Sequence, residues 1–265
     1  MKYLFEEEGL RMLEAFCYAD SLLAFDFDGT LAPIVADPEQ AKSSTQTIEY
    51  LRSLHENTVL VVISGRGRQD LIDRLPFKVD FAIGNHGLEG LPSSTGSLDI
   101  AADMTRKWHE KLKIALQKMP GVVIENKSFS LAIHYRQATD KRKVKIKLLE
   151  LAAELSPSPR ILLGKYVVNL VASGAPHKGV ALLELMLKTG KRAAIYVGDD
   201  ENDEDVFRLG EESLLTIRVG QDENSAALFY LKNQGEIDKL LRHCVDVFKK
   251  IGRKRNSLSG FESSS

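Results

Sequence analysis

The sequence predicts an α/β fold, with a Rossmann-like parallel-sheet core and an inserted α+β unit. Three observations predict it. Apolar runs alternate with amphipathic helical patterns over residues 1–90, as in parallel sheets with right-handed crossovers. The pattern then changes to pairs of strands joined by tight connections, which is typical of an antiparallel sheet. From residue 178 onward the alternation of helix and buried strand resumes.

Each element follows from the spacing of its apolar residues. A nearly continuous apolar run indicates a strand buried on both faces, and a 3.6-residue period indicates a helix. In chain order we predict helix 3–19, strand 22–27, helix 44–55, strand 58–63, helix 68–75, strand 81–84, helix 100–118, strands 122–126 and 129–136, helix 139–155, strands 160–163 and 166–171, helix 178–189, strands 192–197 and 214–219, and helix 235–250.

These elements divide the chain into three parts. The parallel core is predicted to comprise residues 1–103 and 173–251, and the inserted α+β unit residues 104–172. Residues 252–265 are basic and rich in serine, so we expect them to form a disordered tail.

The composition narrows the function. The 265 residues are 43% hydrophobic and 28% charged with a formal net charge of −1, so neither nucleic acid nor a membrane surface is predicted as a partner. The two cysteines, Cys17 and Cys244, lack metal-binding spacing and lie in helical patterns, where we expect small buried hydrophobes. This cysteine usage predicts a reducing, cytoplasmic location.

Two carboxylates mark the end of the first apolar strand. Asp26 and Asp28 follow Leu22-Leu23-Ala24-Phe25 and precede a glycine turn. Residues two apart on a strand point to the same side. One carboxylate can act as a nucleophile, and the other can protonate the leaving oxygen and later activate water. The alternative is a simple Asp-Gly turn.

Two further polar residues stand at the ends of predicted elements. Ser64 follows the second strand, where a hydroxyl and backbone N–H groups suit a phosphate, although an N-capping serine is the alternative. Lys178 opens a helix, where the helix dipole disfavours a cation. A fixed ammonium there can neutralise a transferring phosphoryl group, and an exposed lysine is the alternative.

An acidic segment follows the strand at 192–197. Residues 198–205 contain Asp199, Asp200 and Asp203, and such repulsion is tolerable around a hard cation with oxygen ligands. We expect Asp199 and Asp203 to share one face of the following helix. A solvated acidic helix start is the alternative.

Together these residues resemble the haloacid dehalogenase superfamily of Mg²⁺-dependent phosphatases. The resemblance implies that Asp26 is the nucleophile and Asp28 the general acid/base, with the main-chain carbonyl of Asp28 also on the metal. Ser64 and Lys178 would hold the phosphate. The residues implied at the Mg²⁺ are Asp26, Asp28 and Asp199, with Asp200 and Asp203 supporting the site. The insertion lies where this superfamily carries a C2-type cap domain, a lid that selects small phosphorylated metabolites.

Within the superfamily the chain resembles the trehalose-6-phosphate phosphatase family. The segments that carry this resemblance are Asp26 to Val35 with Asp37-Pro38, Ser64-Gly65-Arg66, Gly84 to Glu89, Glu125-x-Lys127, and Ser130 with His134-Tyr135-Arg136. The residues expected to bind substrate are Arg66, Asn85, His86, Glu125 and Lys127. One position departs from the family, because Asn169 stands where its cap strands commonly carry a glutamate.

The cap residues also have a direct physical interpretation. A disaccharide presents many hydroxyls and little apolar surface, so its pocket needs convergent donors and acceptors. Glu125 and Lys127 are two apart and therefore share a strand face, although charged residues on an antiparallel sheet can simply face water. His134 and Arg136 share a face in the same way, and the basic run 141–147 is expected to be a solvated helix face.

The predicted function is Mg²⁺-dependent hydrolysis of trehalose 6-phosphate, a small-molecule sugar phosphate, through an aspartyl-phosphate. The enzymatic alternative is another cap-bearing sugar phosphatase, acting on mannosyl-3-phosphoglycerate or sucrose 6-phosphate. A catalytically silent sugar-phosphate-binding domain is the alternative of a different class. Intact aspartates and Lys178 argue against it, because a binding domain has no use for a nucleophile.

Overall fold

The computed structural model describes residues 1–35, 37–91, 93 and 95–262, and it confirms the predicted α/β class. In chain order the strands are β1 (Lys2–Tyr3), β2 (Leu22–Phe25), β3 (Leu60–Ile63), β4 (Phe81–Ile83), β5 (Val123–Asn126), β6 (Ser130–His134), β7 (Pro159–Gly164), β8 (Val167–Ala172), β9 (Ala194–Gly198), β10 (Leu214–Val219) and β11 (Phe229–Leu231). The helices are α1 (Glu7–Tyr18), α2 (Thr45–His55), α3 (Arg68–Arg74), α4 (Thr95–Leu116), α5 (Lys141–Ala153), α6 (Lys178–Thr189), α7 (Glu204–Phe207) and α8 (Ile237–Glu262).

Seven parallel strands form the central sheet, in the order β1–β11–β10–β9–β2–β3–β4. Helices cover both faces because the middle strands are apolar on both sides. One face packs against α1, α2, α3 and α8 through residues such as Leu13, Leu51 and Leu241. The other packs against α6 and α7 through Leu182 and Phe207. Each such buried side chain contributes about 1.5–3 kcal/mol, so the sheet is a rigid support for the residues at its edge.

The insertion forms a second, four-stranded antiparallel sheet in the order β5–β6–β8–β7. Helices α4 and α5 pack on one of its faces around Trp108, Leu148 and Leu170. Trp108 Nε1 donates a hydrogen bond of 2.7 Å to the carbonyl of Pro157, which satisfies the buried indole. The division into 1–103 with 173–251, 104–172 and 252–265 stays a prediction, and α4 begins before residue 104 and crosses it.

The register of this second sheet determines which residues face the central sheet. Ile133 and Leu170 pack against α4 and α5, so the residues that alternate with them point the other way. Glu125 pairs with Ala132, and Ala132 pairs with Asn169. Glu125 and Asn169 therefore lie on the inner face of the insertion, toward the core.

The structure differs from the predictions mainly at the ends of the chain. Strands β1 and β11, of two and three residues, were not predicted. The backbone is helical as far as Glu262, whereas a disordered tail is predicted from Gly252. The prediction rests on the scarcity of apolar residues in this segment, but helical hydrogen bonds are local and can form without them. Residues 263–265 lie outside the described residues. Within the described part of the chain, no helix has the length and apolarity needed to cross a membrane.

Candidate active site

Three neighbouring strands of the central sheet deliver polar residues to one edge. Strands β9, β2 and β3 are adjacent and parallel, so their carboxyl ends meet. Asp26 follows β2, Ser64 follows β3 and Asp199 follows β9. Ligands of open parallel sheets bind beyond these carboxyl ends, so the sheet topology brings together the residues that the motifs single out.

Lys178 joins two of the carboxylates. Its Nζ donates to Asp26 Oδ1 at 2.9 Å and to Asp203 Oδ1 at 2.7 Å, and the side chain is only 1% exposed. Asp203 Oδ1 also accepts a hydrogen bond of 2.6 Å from Tyr196. The alternative of an exposed lysine is therefore wrong: Lys178 is a buried cation between two anions.

Charge and burial oppose each other in this cluster. Burial disfavours the charged form of Lys178, but the charges of Asp203 and Asp26 outweigh it and raise the pKa of the ammonium. Burial raises the pKa of Asp26 to about 7, against the lowering effect of Lys178. Burial, together with the charges of Asp26 and Asp203, also raises the pKa of Asp199. One ammonium therefore does not balance the carboxylates, and a further positive charge would stabilise them.

The carboxylates are arranged to accept a cation. One oxygen each of Asp26, Asp199 and Asp203 lies within 4.8 Å of the others. Asp199 Oδ1 is buried with no hydrogen-bond partner among the described residues. Gly29 has a left-handed backbone (φ 82°), and a Cβ there would collide with the Asp199 carboxylate. Each oxygen of Asp203 already accepts two hydrogen bonds, so Asp26 and Asp199 are the carboxylates that would bind the cation, and they fit Mg²⁺, which prefers carboxylate and water ligands.

Asp203 organises the loop that carries Asp199. The chain leaves β9 and makes a 3₁₀ turn at Glu201–Asp203, so Asp199 lies in a loop and the predicted shared helix face is wrong. The two aspartates converge because Asp203 Oδ2 accepts hydrogen bonds of 2.9 Å from the backbone N–H groups of Asp199 and Asp200. Asp200 lines a cavity that lies between this edge of the sheet and the insertion.

Ser64 lines the same cavity and is buried. Its Oγ accepts a hydrogen bond of 3.2 Å from the backbone N–H of Arg66. Helix α3 begins at Arg68 with Gly67 as its N-cap, so the alternative of Ser64 as the helix cap is wrong.

Arg66 holds Asp28 through two parallel hydrogen bonds. The Nε and Nη2 atoms of Arg66 donate to Asp28 Oδ2 and Oδ1, both at 2.7 Å. The Asp28 carboxylate lines the cavity and is 39% exposed, whereas the guanidinium is nearly buried. Arg66 was predicted to bind substrate; the structure brings it to the cavity wall, where its side chain faces Asp28.

Asn85 and His86 occupy a strained turn after β4, with left-handed φ angles of 48° and 60°. Asn85 does not line the cavity; its Oδ1 accepts a hydrogen bond of 2.5 Å from Ser130 in the insertion. His86 does line the cavity, and neither ring nitrogen has a partner among the described residues. Burial, with the charges of Lys127 and Lys178, holds the pKa of His86 well below its usual value, so the imidazole is neutral.

The insertion lines the side of the cavity that lies opposite the sheet edge. Lys127 Nζ donates to the carbonyl of Gly65 at 3.0 Å, and Glu125 lies 2.8 Å from His134 Nε2. Although burial opposes it, the hydrogen bond from His134 and the charge of Lys127 lower the pKa of Glu125. Burial lowers the pKa of Lys127. The inner face of the insertion therefore presents a carboxylate and an amine to the cavity.

The cavity has a volume of about 670 Å³ and lies between the sheet edge and the inner face of the insertion. Asn169 stands on that face, and its Nδ2 makes only a long hydrogen bond of 3.5 Å to the Leu162 carbonyl. Tyr196 was not predicted as a site residue. The signal that could have identified it is a lone hydroxyl in an apolar strand shortly before the acidic segment. The cavity-lining hairpin turn Lys165–Tyr166, which carries no motif, was not predicted either.

The fold class and the family follow from comparison with known proteins. A sugar phosphatase of subclass IIB of the HAD superfamily aligns with a TM-score of 0.54, covering 84% of this chain and 98% of its own, at 17% identity. This likeness shows that the two chains share a fold. Residues 24–234 match the family model described as trehalose-phosphatase. The chain belongs to that family.

Individual relatives agree with this assignment. The trehalose-phosphate phosphatase of Mycobacterium tuberculosis is 31% identical over 254 residues, in an alignment that covers 87% of this chain and 65% of the relative. That of Mycobacterium ulcerans is 31% identical over 242 residues, in an alignment that covers 86% of this chain and 62% of the relative. The chain thus spans less than two thirds of these relatives. The crystal structure of a trehalose-6-phosphate phosphatase related protein aligns with a TM-score of 0.72 and 25% identity, covering 89% of this chain and all of its own.

Proposed function

We propose that the chain hydrolyses trehalose 6-phosphate to trehalose and phosphate, with Mg²⁺ and through an aspartyl-phosphate. The observation that carries the proposal is the position of Asp26. It lies at the end of a central strand, beside the buried ammonium of Lys178 and the carboxylate of Asp199, and it faces a cavity that the insertion lines on the opposite side. Membership of the trehalose-phosphatase family supports the choice of substrate.

The reaction uses two carboxylates in sequence. An Asp26 oxygen attacks phosphorus while the bond from phosphorus to the sugar oxygen breaks, and Asp28 gives its proton to that oxygen. Asp28 then takes a proton from water, whose oxygen attacks phosphorus and releases phosphate and the Asp26 carboxylate. Lys178 and Ser64 bind the phosphoryl oxygens in this scheme. A bound Mg²⁺ would be held by Asp26, Asp199 and the main-chain carbonyl of Asp28, and it would neutralise the phosphoryl charge.

The cavity supports a sugar substrate. Glu125, Lys127 and Asn169 offer an acceptor, a donor and an amide on one wall, and such convergent polar groups fix the orientation of a ligand. The insertion acts as a lid that excludes water from the reacting phosphate. A cytoplasmic location, and the absence of nucleic-acid and membrane partners, stay predictions from the sequence.

The function is tested by measuring phosphate release from a panel of phosphate esters. The panel contains trehalose 6-phosphate, sucrose 6-phosphate, mannosyl-3-phosphoglycerate and glucose 6-phosphate, each with and without a chelator. We expect the highest kcat/KM with trehalose 6-phosphate and its loss on chelation. A higher kcat/KM with another ester would refute the substrate, and no phosphate release from any ester would favour the silent binding domain.

The metal site is tested by the response of thermal stability to Mg²⁺. A cation bound only by the folded state at 100 times its Kd adds about 2.7 kcal/mol, or about 5 °C in Tm for a chain of this size. We expect this rise for the wild type and for Asp246→Asn, an exposed aspartate on α8, but less than about 1 °C for Asp199→Asn. An equal rise in Asp199→Asn would exclude Asp199 as a ligand.

The sugar-reading role of the insertion is tested by Glu125→Ala. Loss of this acceptor is expected to lower kcat/KM for trehalose 6-phosphate by about 100-fold, but that for p-nitrophenyl phosphate by less than about threefold, because the aryl ester has no sugar hydroxyls. Glu150→Ala, on the outer face of the same unit, is the control and should change neither value. Equal losses on both esters would argue against a sugar-reading lid.

A further inference from the structure

A chain of alternating charges extends from Asp28 through Arg66 and Asp70 to Arg74. Arg66, which holds Asp28, donates through Nη1 to Asp70 Oδ2 at 2.8 Å. The other oxygen of Asp70 accepts from Arg74 Nε at 2.9 Å. Arg74 also donates to the carbonyl of Glu39 at 2.8 Å, on the loop that lines the cavity. Both guanidinium groups are nearly buried, so their charges depend on these partners.

This network fixes the plane of the Arg66 guanidinium. Its Nε and Nη2 donate hydrogen bonds to Asp28, and its Nη1 donates to Asp70. Nη2 also donates to the carbonyl of Pro38 at 2.8 Å. A guanidinium presents its donors in a rigid plane, so a change at Nη1 tilts the pair that faces Asp28. Asp70 is a residue of α3, and the packed helix supplies the rigid anchor.

We propose that Asp70 is a positioning residue of the phosphatase: it orients Arg66 so that the carboxyl group of Asp28 meets the leaving oxygen of the substrate. The inference rests on the proposed role of Asp28 as general acid, but not on the identity of the sugar. A purely structural role for Asp70, stabilising α3 through its (i, i+4) pair with Arg74, would affect all substrates equally.

The positioning role and the structural role can be distinguished by comparing two phosphate esters that differ in their leaving group. Glycerol 3-phosphate releases an alkoxide that needs a proton, whereas p-nitrophenyl phosphate releases a stable phenolate that does not. The parameter to compare is kcat/KM, because it covers the steps through loss of the leaving group. Asp70→Asn removes the charge at constant shape, and it is expected to lower kcat/KM for glycerol 3-phosphate by about 10- to 100-fold. The loss with the aryl ester should be below about threefold.

Two variants serve as controls. Asp73→Asn, at an exposed position of the same helix, should leave kcat/KM unchanged for both esters. Asp70→Glu keeps the charge and should recover most of the kcat/KM that Asp70→Asn loses with glycerol 3-phosphate. Equal losses on the two esters, or no loss with glycerol 3-phosphate, would overturn the proposal. A protein that cleaves both esters but not trehalose 6-phosphate would refute the proposed substrate and leave this test intact.

A second measurement does not depend on activity. In a crystal structure of Asp70→Asn we expect the guanidinium of Arg66 to lose at least one of its two hydrogen bonds to Asp28. Retention of both bonds at their wild-type length of 2.7 Å would overturn the proposal whatever the kinetics.

Discussion

Asp26→Asn is expected to lower phosphate release by about 10⁴-fold or more while leaving the fold intact. The amide has the shape of the carboxylate but cannot attack phosphorus. The fold should persist because Lys178 keeps its hydrogen bond of 2.7 Å to Asp203, so no buried charge loses its last partner. Burial already raises the pKa of Asp26, and removal of its charge relieves repulsion with Asp199.

The measurement is phosphate release, with thermal unfolding followed by circular dichroism on the same sample. Asp246→Asn is the matched control, since it makes the same substitution at an exposed site on α8. Turnover within about tenfold of the wild type would show that Asp26 is not the nucleophile.

Lys178→Met is expected to abolish turnover and to lower the free energy of unfolding by about 3–5 kcal/mol. Methionine has a similar volume but no charge, so Asp26 and Asp203 would be left as buried anions without their common cation. Tyr196 still donates to Asp203, but one hydroxyl cannot replace an ammonium.

Urea unfolding of Lys178→Met measures this loss. Lys188→Met on the same helix is the control: its ammonium is exposed and lies over the ring of Phe81, so its removal should cost less than about 1 kcal/mol. If the two variants were equally stable, Lys178 would not be the cation that balances the buried carboxylates.

Much of the site could be predicted because it follows short, fully buried strands. Strands β2 and β3 are apolar throughout and β9 is apolar except for Tyr196, so the polar residue after each one stands out in the sequence. Parallel strands place these residues at one edge of the sheet. The sequence alone therefore predicts that Asp26, Ser64 and Asp199 lie close together.

Contacts that depend on how distant segments come together, or on backbone groups, could not be predicted. Asp203 acts on the loop of Asp199 through two backbone N–H groups, and no side-chain pattern records such bonds. Asn85 resembles a residue of the pocket, yet its amide joins the insertion to the core through Ser130. Asp70 lies in an ordinary helical pattern, and only the fold shows that it touches the partner of Asp28.

The link between the insertion and the core has a mechanical consequence. The insertion ends at Ala172 and α6 begins at Lys178, so residues 173–177 are the whole return connection. Since Lys178 is anchored by two carboxylates, any swing of β8 must be absorbed within these five residues. Gly174, with a left-handed backbone and open space where a side chain would stand, is the member best able to turn. Any displacement of the insertion on this side must therefore be taken up next to Lys178, while the ammonium itself stays held by Asp26 and Asp203.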